Sequence, residues 1–295
     1  MLKLTQFADD TTIILDGTVD SLQAALNILE IFRELSGLKM NAEKTKVVWI
    51  GSEMTSKRML NTSYKLRWGD SHFNLLGINF SSNLSEMPDL NYENAIMKAK
   101  QIINSWRYRY LTPLGKITII KTLILSKFTH LFMTLPTPVD VLNRINGLLF
   151  SFLWDGKPDK INRKLMCNSR TMGGLNMVNV HNFEKSLKLK WIKLIFTDDK
   201  KDWRNVLFNT SKLNAKYLSV LGSQWCLSVL PDLNPFWKMV FSYYVEFCQQ
   251  LEAKSIEDIL STSLWLNKPV GTDNIFFGDW FKNGILSAAD ILKTD

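Results

Sequence analysis

Two adjacent aspartates stand between two short apolar segments near the start of this 295-residue sequence. Residues 2–7 and 11–15 alternate in polarity or are β-branched, which predicts a two-stranded hairpin with Asp9 and Asp10 at its bend. Two carboxylates held side by side repel each other, and a divalent cation that prefers oxygen ligands relieves this repulsion. Asp9 and Asp10 are therefore candidate metal ligands for phosphoryl transfer. The competing interpretation is that both are solvated turn residues.

The elements that would position this bend follow in the sequence. Apolar residues recur at helical spacing over residues 22–35, with Asp20 as the expected N-cap and Gly37 as the stop. Strands are predicted over residues 44–51 and 73–80, the second with Gly77 at a bulge or a close backbone approach. We expect the helix to lie across the back of the hairpin and to bury its apolar face there.

From about residue 90 the apolar pattern becomes helical. We predict helices over residues 92–109, 114–135, 139–154 and 183–196, with a hinge at Gly173 and Gly174. The helix over 183–196 carries lysines 185, 188, 190 and 193. The expected fold class is α+β, a small antiparallel N-terminal region followed by a mostly α-helical remainder.

The net charge of +8 is concentrated in the middle of the chain. Residues 1–90 carry a net charge of −2, residues 91–210 carry +12 and residues 211–295 carry −2. A basic zone in an otherwise nearly neutral protein is the electrostatic pattern of phosphate-backbone binding. The alternative is a solvated face of lysine-rich helices.

Cysteine usage and hydropathy argue against several classes of protein. The three cysteines (Cys167, Cys226 and Cys248) have no Cys-x-x-Cys spacing, so we expect reduced thiols rather than a zinc site or disulfides. No basic-then-apolar leader opens the sequence. The apolar segment 117–135 contains two lysines and a histidine, which argues against a membrane span. We therefore expect an intracellular protein, nuclear or cytoplasmic, without a membrane partner.

Several motifs in fixed order resemble one family. Residues 3–12, with Ala8, Asp9 and Asp10, resemble the aspartate-pair motif of reverse transcriptases from LINE-type non-LTR retrotransposons. Residues 36–41 with 44–46 resemble the next palm motif, and residues 73–78 resemble the hairpin that grips the primer end. The resemblance continues through residues 111–116, 119–121, 152–157 and 173–175, and covers about two-thirds of the chain.

The resemblance implies a role for each motif. Asp9 and Asp10 would hold catalytic Mg²⁺, and Lys44 would act on the leaving pyrophosphate. Leu76 and Gly77 would let the backbone approach the primer terminus. The basic helices would contact the sugar-phosphate backbone of the template–primer duplex, and the expected contacts there are Arg107, Arg109, Lys116 and Lys121.

These residues also have ordinary structural interpretations. Lys44 could be a solvated lysine before a strand, and Gly77 a strand irregularity. On a helix, Trp106 and Tyr110 share one face, so we expect both to pack inward and Arg107 and Arg109 to bind. The aromatic residues beyond Trp203 would build a core or an interface with another part of the protein.

Three functional interpretations follow. The first is the C-terminal part of an RNA-directed DNA polymerase, with a partial palm (1–89), a helical thumb (90–165) and a helical extension (166–295). Its partners would be an RNA template, a DNA primer and the missing fingers and palm region. With two of the family's three metal carboxylates, we expect this polypeptide alone to be inactive and residues 3–7 to form an exposed sheet edge. The others are a non-catalytic basic module that binds RNA or RNA–DNA duplex, and a decayed fragment without function.

Overall fold

The computed structural model describes residues 4–51, 60, 62, 64–69, 72–81, 83–197, 202–210, 233–250, 278–287 and 290. The chain divides into two units, Met1–Asn91 and Tyr92–Asp295, and each is described by itself. Short strand pairs and a long helix make up most of the described part of the first unit, and helices dominate that of the second. The fold is therefore mixed α+β, as the sequence predicts.

The first two strands form an antiparallel hairpin. β1 (Leu4–Phe7) pairs with β2 (Asp10–Ile13), so Ala8 and Asp9 are the two turn residues. Ala8 has a φ of 52°, as at the first central position of a type II′ turn, where glycine is favoured. Every residue of β1 is exposed, and among the described strands it pairs with β2 alone. Lys3, which we assigned to the same edge, lies outside the described residues.

The N-cap of the first helix lies two residues before the N-cap that the sequence predicts. α1 (Val19–Ser36) has Thr18 as its N-cap, and the Thr18 hydroxyl accepts a hydrogen bond from the Ser21 N–H at 3.2 Å. Asp20 lies in the first turn, where its charge still interacts favourably with the helix dipole. Gly37 ends the helix with a φ of 73°, as predicted.

One face of α1 builds the core of the first unit. Leu22 and Leu26 are buried against Leu60. Half-buried side chains from the following segments complete the cluster: Met40, Trp49, Tyr64, Leu66 and Trp68. The predicted packing of the helix on the hairpin is not what forms this core, since none of its members comes from β1 or β2.

The strand predicted over residues 44–51 is much shorter in the structure. β3 (Lys46–Val47) pairs with β4 (Arg67–Trp68), and this pairing is parallel, whereas we predicted an antiparallel region. Trp49 stacks on Trp68 with ring centroids 5.7 Å apart. The described strands thus form three separate pairs rather than one sheet.

The single strand predicted over residues 73–80 is instead a second hairpin. β5 (His72–Leu75) and β6 (Ile78–Ser81) are antiparallel. Leu76 and Gly77 both have positive φ, 50° and 82°, as in a type I′ turn, and they reverse the chain. The buried Asn91 fixes this hairpin, because its amide accepts from the Asn79 N–H and donates to the Asn79 carbonyl, each at 2.8 Å.

The second unit begins with four helices. The sequence predicts one continuous helix over residues 114–135, but the structure divides it in two. The elements are α2 (Met87–Arg107, whose first turns belong to the first unit), α3 (Pro113–Ile119), α4 (Ser126–Thr134) and α5 (Val139–Leu153). A π-helical turn at Ile120–Ile124 separates α3 from α4 within the predicted helix 114–135. Buried isoleucines at both ends of this turn hold it in the core.

Among the described residues, no single helix is long and apolar enough to cross a membrane. Pro113–Ile124 and Ser126–Thr134 meet the length and composition requirement only together, as a pair bent by 47°.

The later helices pack around α7. The elements are α6 (Arg163–Cys167), α7 (Val180–Thr197), α8 (Asp202–Thr210), α9 (Pro235–Gln250) and α10 (Gly278–Lys282). α7 contacts α4, α5 and α9. Six of the described aromatic residues from Trp203 onward contribute to a core with α7: Trp203, Phe208, Phe236, Trp237, Phe241 and Tyr244. Residues 211–232 and 251–277 of the predicted C-terminal extension lie outside the described residues.

The segment predicted as a hinge at Gly173 and Gly174 is tied down by backbone hydrogen bonds. The Gly174 N–H donates to the Ser169 carbonyl at 3.0 Å, and the N–H groups of Leu175 and Met177 both donate to the Met166 carbonyl. A Cβ atom at Gly174 would overlap the backbone carbonyl of Asn168. Glycine is therefore needed here for a close approach of two backbone segments.

Gly174→Ala should lower the free energy of unfolding by about 3 kcal/mol, because the added methyl group must displace backbone. Chemical denaturation followed by tryptophan fluorescence would measure the change. Gly147→Ala in α5 is the matched control, since nothing lies within 4 Å of the added Cβ, and it should stabilise the chain by about 0.5–1 kcal/mol through helix propensity. Equal stability of Gly174→Ala and the wild type would contradict the close approach.

Candidate nucleic-acid interface

The two aspartates lie at the tip of the first hairpin. Asp9 is in the turn and Asp10 is the first residue of β2, and both are exposed. Neither side chain is hydrogen-bonded or ion-paired to another described residue. Both carboxylates therefore face solvent at this turn.

The chemistry of this turn fits Mg²⁺ bound together with a phosphate ligand. Mg²⁺ keeps several waters and is usually held by one or two carboxylates plus substrate phosphates. Asp9 and Asp10 could supply those carboxylates. The described residues contain no group of three or more His, Cys, Asp or Glu side chains that could hold a metal ion, so the remaining ligands would be water and phosphate oxygens.

Lys44 lies in a turn organised by Asn41. Its backbone N–H donates to both the side-chain and the backbone oxygen of Asn41, each at 3.1 Å, and the Thr45 hydroxyl donates to the same backbone oxygen at 2.8 Å. The Lys44 side chain is exposed. Lys44 belongs to the same unit as Asp9 and Asp10, but no hydrogen bond or ion pair in the described part of the chain joins them.

Leu76 and Gly77 form the exposed tip of the second hairpin. Leu76 is half exposed, and nothing lies within 4 Å of a Cβ built at Gly77. The Asn74 side chain accepts from the Gly77 N–H at 3.3 Å and donates to the Asn79 side chain at 2.9 Å. Gly77 therefore serves the turn rather than a bulge, and the open space beside it would admit an extended ligand.

Lys116 is buried, so its charge is not available to a phosphate backbone. Its ammonium group lies 2.6 Å from Asp155 Oδ1 and 3.4 Å from the carbonyl of Leu153, the last residue of α5. Asp155 has a φ of 55°, and the Gly156 N–H donates to the Ser151 carbonyl at 2.8 Å, which closes a Schellman-type end to α5. Lys116 thus caps α5, and the expectation that it contacts nucleic acid is corrected.

Lys121 lies in the π-helical turn between α3 and α4 and is half-buried. π-Helical turns occur often at functional sites, because the extra residue redirects side chains. Among the described residues, no hydrogen bond or ring contact joins Lys121 to Arg107 or Arg109.

The end of α2 differs from the expectation in its aromatic residues. The helix ends at Arg107, so Tyr110 does not share a helical face with Trp106. Trp106 is half-buried, whereas Tyr108 is 88% exposed and Tyr110 is fully exposed. The Arg109 guanidinium lies over the Trp106 ring, 4.4 Å from its centroid, and Arg107 and Arg109 are both exposed, as expected of binding residues.

A second basic segment lies beside the end of α2. An Nη2 atom of Arg107 is 4.0 Å from the position of a Cβ built at Gly156, in the loop that follows α5. Lys157 and Lys160 continue this loop and are exposed. We call the combined surface the α2-end surface: Arg107, Tyr108, Arg109, Tyr110, Lys157 and Lys160. Sequence reasoning missed both lysines, although Gly156 and Pro158 marked their segment as a loop.

The acidic residues in this loop are paired with other cations. Asp155 is paired with Lys116, and Asp159 Oδ2 lies 2.6 Å from the Nε atom of Arg163. Each carboxylate is therefore neutralised within its own ion pair. The four cations of the α2-end surface form no ion pair with a described carboxylate, so the surface carries an excess of positive charge.

Cys167 and Cys248, the two cysteines that the structure describes, have no features of a reactive site. Cys167 and Cys248 are free thiols, and burial raises the pKa of each. A raised pKa leaves less thiolate at neutral pH, and the thiolate is the nucleophilic form. Cys226 lies outside the described residues.

Comparison with known proteins gives a short similarity. No family model matches the sequence. Over 96 residues, 30% of the chain, it is 27% identical to a protein of Arabidopsis thaliana that is provisionally named a ribonuclease H protein. The chain spans 16% of the length of that relative. This match covers too little of either protein to assign the chain to a family.

Proposed function

We propose that this chain is the C-terminal part of a LINE-type non-LTR retrotransposon reverse transcriptase, an RNA-directed DNA polymerase. The observation that carries the proposal is the exposed Asp9–Asp10 pair at the tip of a two-residue hairpin turn. The motifs that follow it in order, at residues 36–46 and 73–78, support the same family. The provisional name of the Arabidopsis relative also denotes an enzyme that acts on nucleic acid.

In this proposal each exposed group has a defined role. Bound Mg²⁺ would neutralise charge on the triphosphate and activate the primer 3′-hydroxyl. Asp9 and Asp10 would hold the ion, and Lys44 would neutralise the departing pyrophosphate. Leu76 and Gly77 would lie against the primer terminus. Residues 1–89 would be the partial palm, 90–165 the thumb and 166–295 an extension.

Exposed apolar side chains of the first unit support a further partner region. On α1, Ile28, Ile31 and Leu35 are exposed, the last by 85%, and on β1 Leu4 and Phe7 are also exposed. Apolar side chains at this density on one helix and one strand are typical of surfaces that another segment covers. The fingers and the rest of the palm would be that segment, and the unpaired edge of β1 would accept a strand from it.

A second candidate function has its own supporting observation. No third acidic residue joins Asp9 and Asp10 within the described part of the chain, whereas the α2-end surface carries four exposed cations. A basic helical module that binds RNA or RNA–DNA duplex without catalysis needs only that surface. Both candidates predict duplex binding, and they differ in whether the aspartates have a function.

We expect the purified chain to bind an annealed RNA–DNA duplex at low salt but to extend no primer with Mg²⁺ and deoxynucleotides. Asp9→Asn/Asp10→Asn should bind the duplex equally well, since it leaves every cation of the α2-end surface unchanged. Primer extension by the chain alone, abolished in the double variant, would contradict this prediction. Absence of duplex binding at low salt would overturn both candidate functions.

A separate experiment distinguishes the two candidates. The DNA directly upstream of the Met1 codon would be sequenced, and any open frame there would be expressed together with this chain. Mg²⁺-dependent primer extension by the longer protein, lost on Asp9→Asn, would support the polymerase. Absence of an upstream frame would overturn the polymerase proposal and leave the duplex-binding module.

A further inference from the structure

Tyr108 and Tyr110 contribute little to the stability of the fold. Tyr108 is 88% exposed and Tyr110 is fully exposed, so neither ring is packed in the core. A tyrosine of this exposure keeps both ring faces in water, where the hydrophobic effect gives no reason for an aromatic side chain. Tyr108 and Tyr110 are separated by one residue, and the packing of the fold does not account for either ring.

Cationic residues alternate with these tyrosines in the sequence. Arg107 and Arg109 flank Tyr108 in sequence, and Arg107 lies beside the loop that carries Lys157 and Lys160. Stacking on Trp106 uses a face of the Arg109 guanidinium, while its N–H donors project from the edge of the group, where a phosphate oxygen can accept them. Exposed rings among cations are the components with which proteins bind unpaired nucleotides.

We propose that Tyr108 and Tyr110 form a stacking platform for the unpaired bases of a single-stranded nucleic acid, held by phosphate contacts from the neighbouring cations. The proposal rests on the nucleic-acid binding proposed above and adds a preference for unpaired bases. A paired duplex keeps its bases stacked on each other, so it offers only phosphates and sugars to this surface. The rings would contact the strand where it is not base-paired.

Three versions of the full chain separate stacking from charge: the wild type, Tyr108→Leu/Tyr110→Leu and Tyr108→Phe/Tyr110→Phe. Phenylalanine keeps the aromatic face, whereas leucine keeps apolar area without it. Because both rings are exposed, neither double variant should change the unfolding midpoint, which circular dichroism would verify. Three ligands would be compared: a 12-nucleotide single strand, an abasic strand with the same backbone, and a blunt RNA–DNA duplex. Fluorescence anisotropy at fixed salt would measure the affinity for each.

The leucine variant should bind the base-containing strand at least about tenfold more weakly than the wild type, and the phenylalanine variant within about twofold. The abasic strand and the duplex should bind all three proteins alike.

Equal binding of the single strand by the leucine variant and the wild type would overturn the stacking platform, and duplex binding would remain to support the proposed function. If the wild type bound the single strand but not the duplex, the platform would stand and the proposed function would fail. Running the single strand as both RNA and DNA would show which sugar the site accepts.

Discussion

Replacing Lys188 with alanine should lower the free energy of unfolding by about 3–5 kcal/mol, the largest stability change we expect from a single substitution in this chain. Lys188 lies on α7 and is completely buried. Its ammonium group is 2.6 Å from a carboxylate oxygen of Glu184, which is also completely buried, one helical turn away. Removing the lysine would leave an unpaired carboxylate in the core.

Lys188 also binds the end of another helix. Its ammonium group donates to the carbonyls of Phe132 and Leu135 at 2.7 and 2.9 Å, where α4 ends, and lies 3.2 Å from the Thr137 hydroxyl. A cation at a helix C-terminus is stabilised by the unpaired carbonyls and the helix dipole. The Thr137 hydroxyl is in turn 2.9 Å from the Tyr92 hydroxyl of α2. The lysine therefore connects α7, α4 and α2 through one polar cluster.

The pKa shifts in this cluster have clear physical causes. Burial lowers the pKa of Lys188, and the Glu184 carboxylate partly opposes that effect by attracting the positive charge. Burial raises the pKa values of Tyr92 and Tyr243, and the Glu184 charge adds to both shifts. At neutral pH both phenols keep their protons and can act as hydrogen-bond donors.

Urea denaturation followed by tryptophan fluorescence would test the Lys188 prediction. Lys190→Ala on the same helix is the matched control, because that lysine is exposed, and its effect should stay within about 0.5 kcal/mol. The double variant Lys188→Met/Glu184→Leu should recover much of the loss, since it removes both buried charges. A loss below about 1 kcal/mol for Lys188→Ala would show that the buried pair does not hold these helices together.

The lysines show why burial could not be derived from the sequence. On α7, lysines 185, 188, 190 and 193 fit an exposed basic face, yet Lys188 is in the core and Lys185 is paired with Glu246 of α9 at 2.6 Å. Lys116, on another of the basic helices, was likewise expected to contact nucleic acid. In both buried cases the lysine serves carbonyls at the end of a helix that is distant in sequence. Local periodicity contains no information about such a partner.

Local chemistry was predicted well where it depends on neighbouring residues alone. Gly37 ends α1, the prolines that follow α4 end that helical segment, and the aspartates lie at a hairpin tip, since caps and turns are determined over a few residues. The family resemblance implied a hairpin at residues 73–78, but the residue pattern alone predicted one strand, because Leu76 adopts a positive φ that sequence patterns assign to glycine or asparagine. The π-helical turn was missed because it keeps the apolar spacing of a continuous helix.

The positions of Tyr108 and Tyr110 depend on where α2 ends. A continued helix would have turned Tyr110 onto the face of Trp106, but the chain leaves the helix after Arg107. The helix predicted over residues 92–109 ends two residues earlier in the structure, and no proline or glycine between Arg107 and Leu111 marks that end. The exposure of Tyr108 and Tyr110, on which the stacking platform rests, therefore became visible only in the structure.

A variant that removes the four cations of the α2-end surface should bind RNA–DNA duplex on the order of a hundredfold more weakly at moderate salt. The substitutions are Arg107→Ala, Arg109→Ala, Lys157→Ala and Lys160→Ala. Each phosphate contact releases condensed counterions, so the slope of log affinity against log salt should fall in magnitude by about 3. The side chains are exposed, and their removal should leave the unfolding midpoint nearly unchanged.

The control must lose the same charge elsewhere in the second unit. Four lysines that are exposed outside the α2-end surface provide it when replaced by alanine: Lys98, Lys127, Lys190 and Lys238. If a local surface binds the phosphates, this control should change the salt slope by less than about 1. Equal losses in both variants would mean that the net charge of the unit, and not the α2-end surface, attracts the duplex. Lys116 is left out of the variant because it is buried and caps α5, so replacing it would also affect folding. A loss of affinity confined to the α2-end variant would therefore reflect the loss of phosphate contacts.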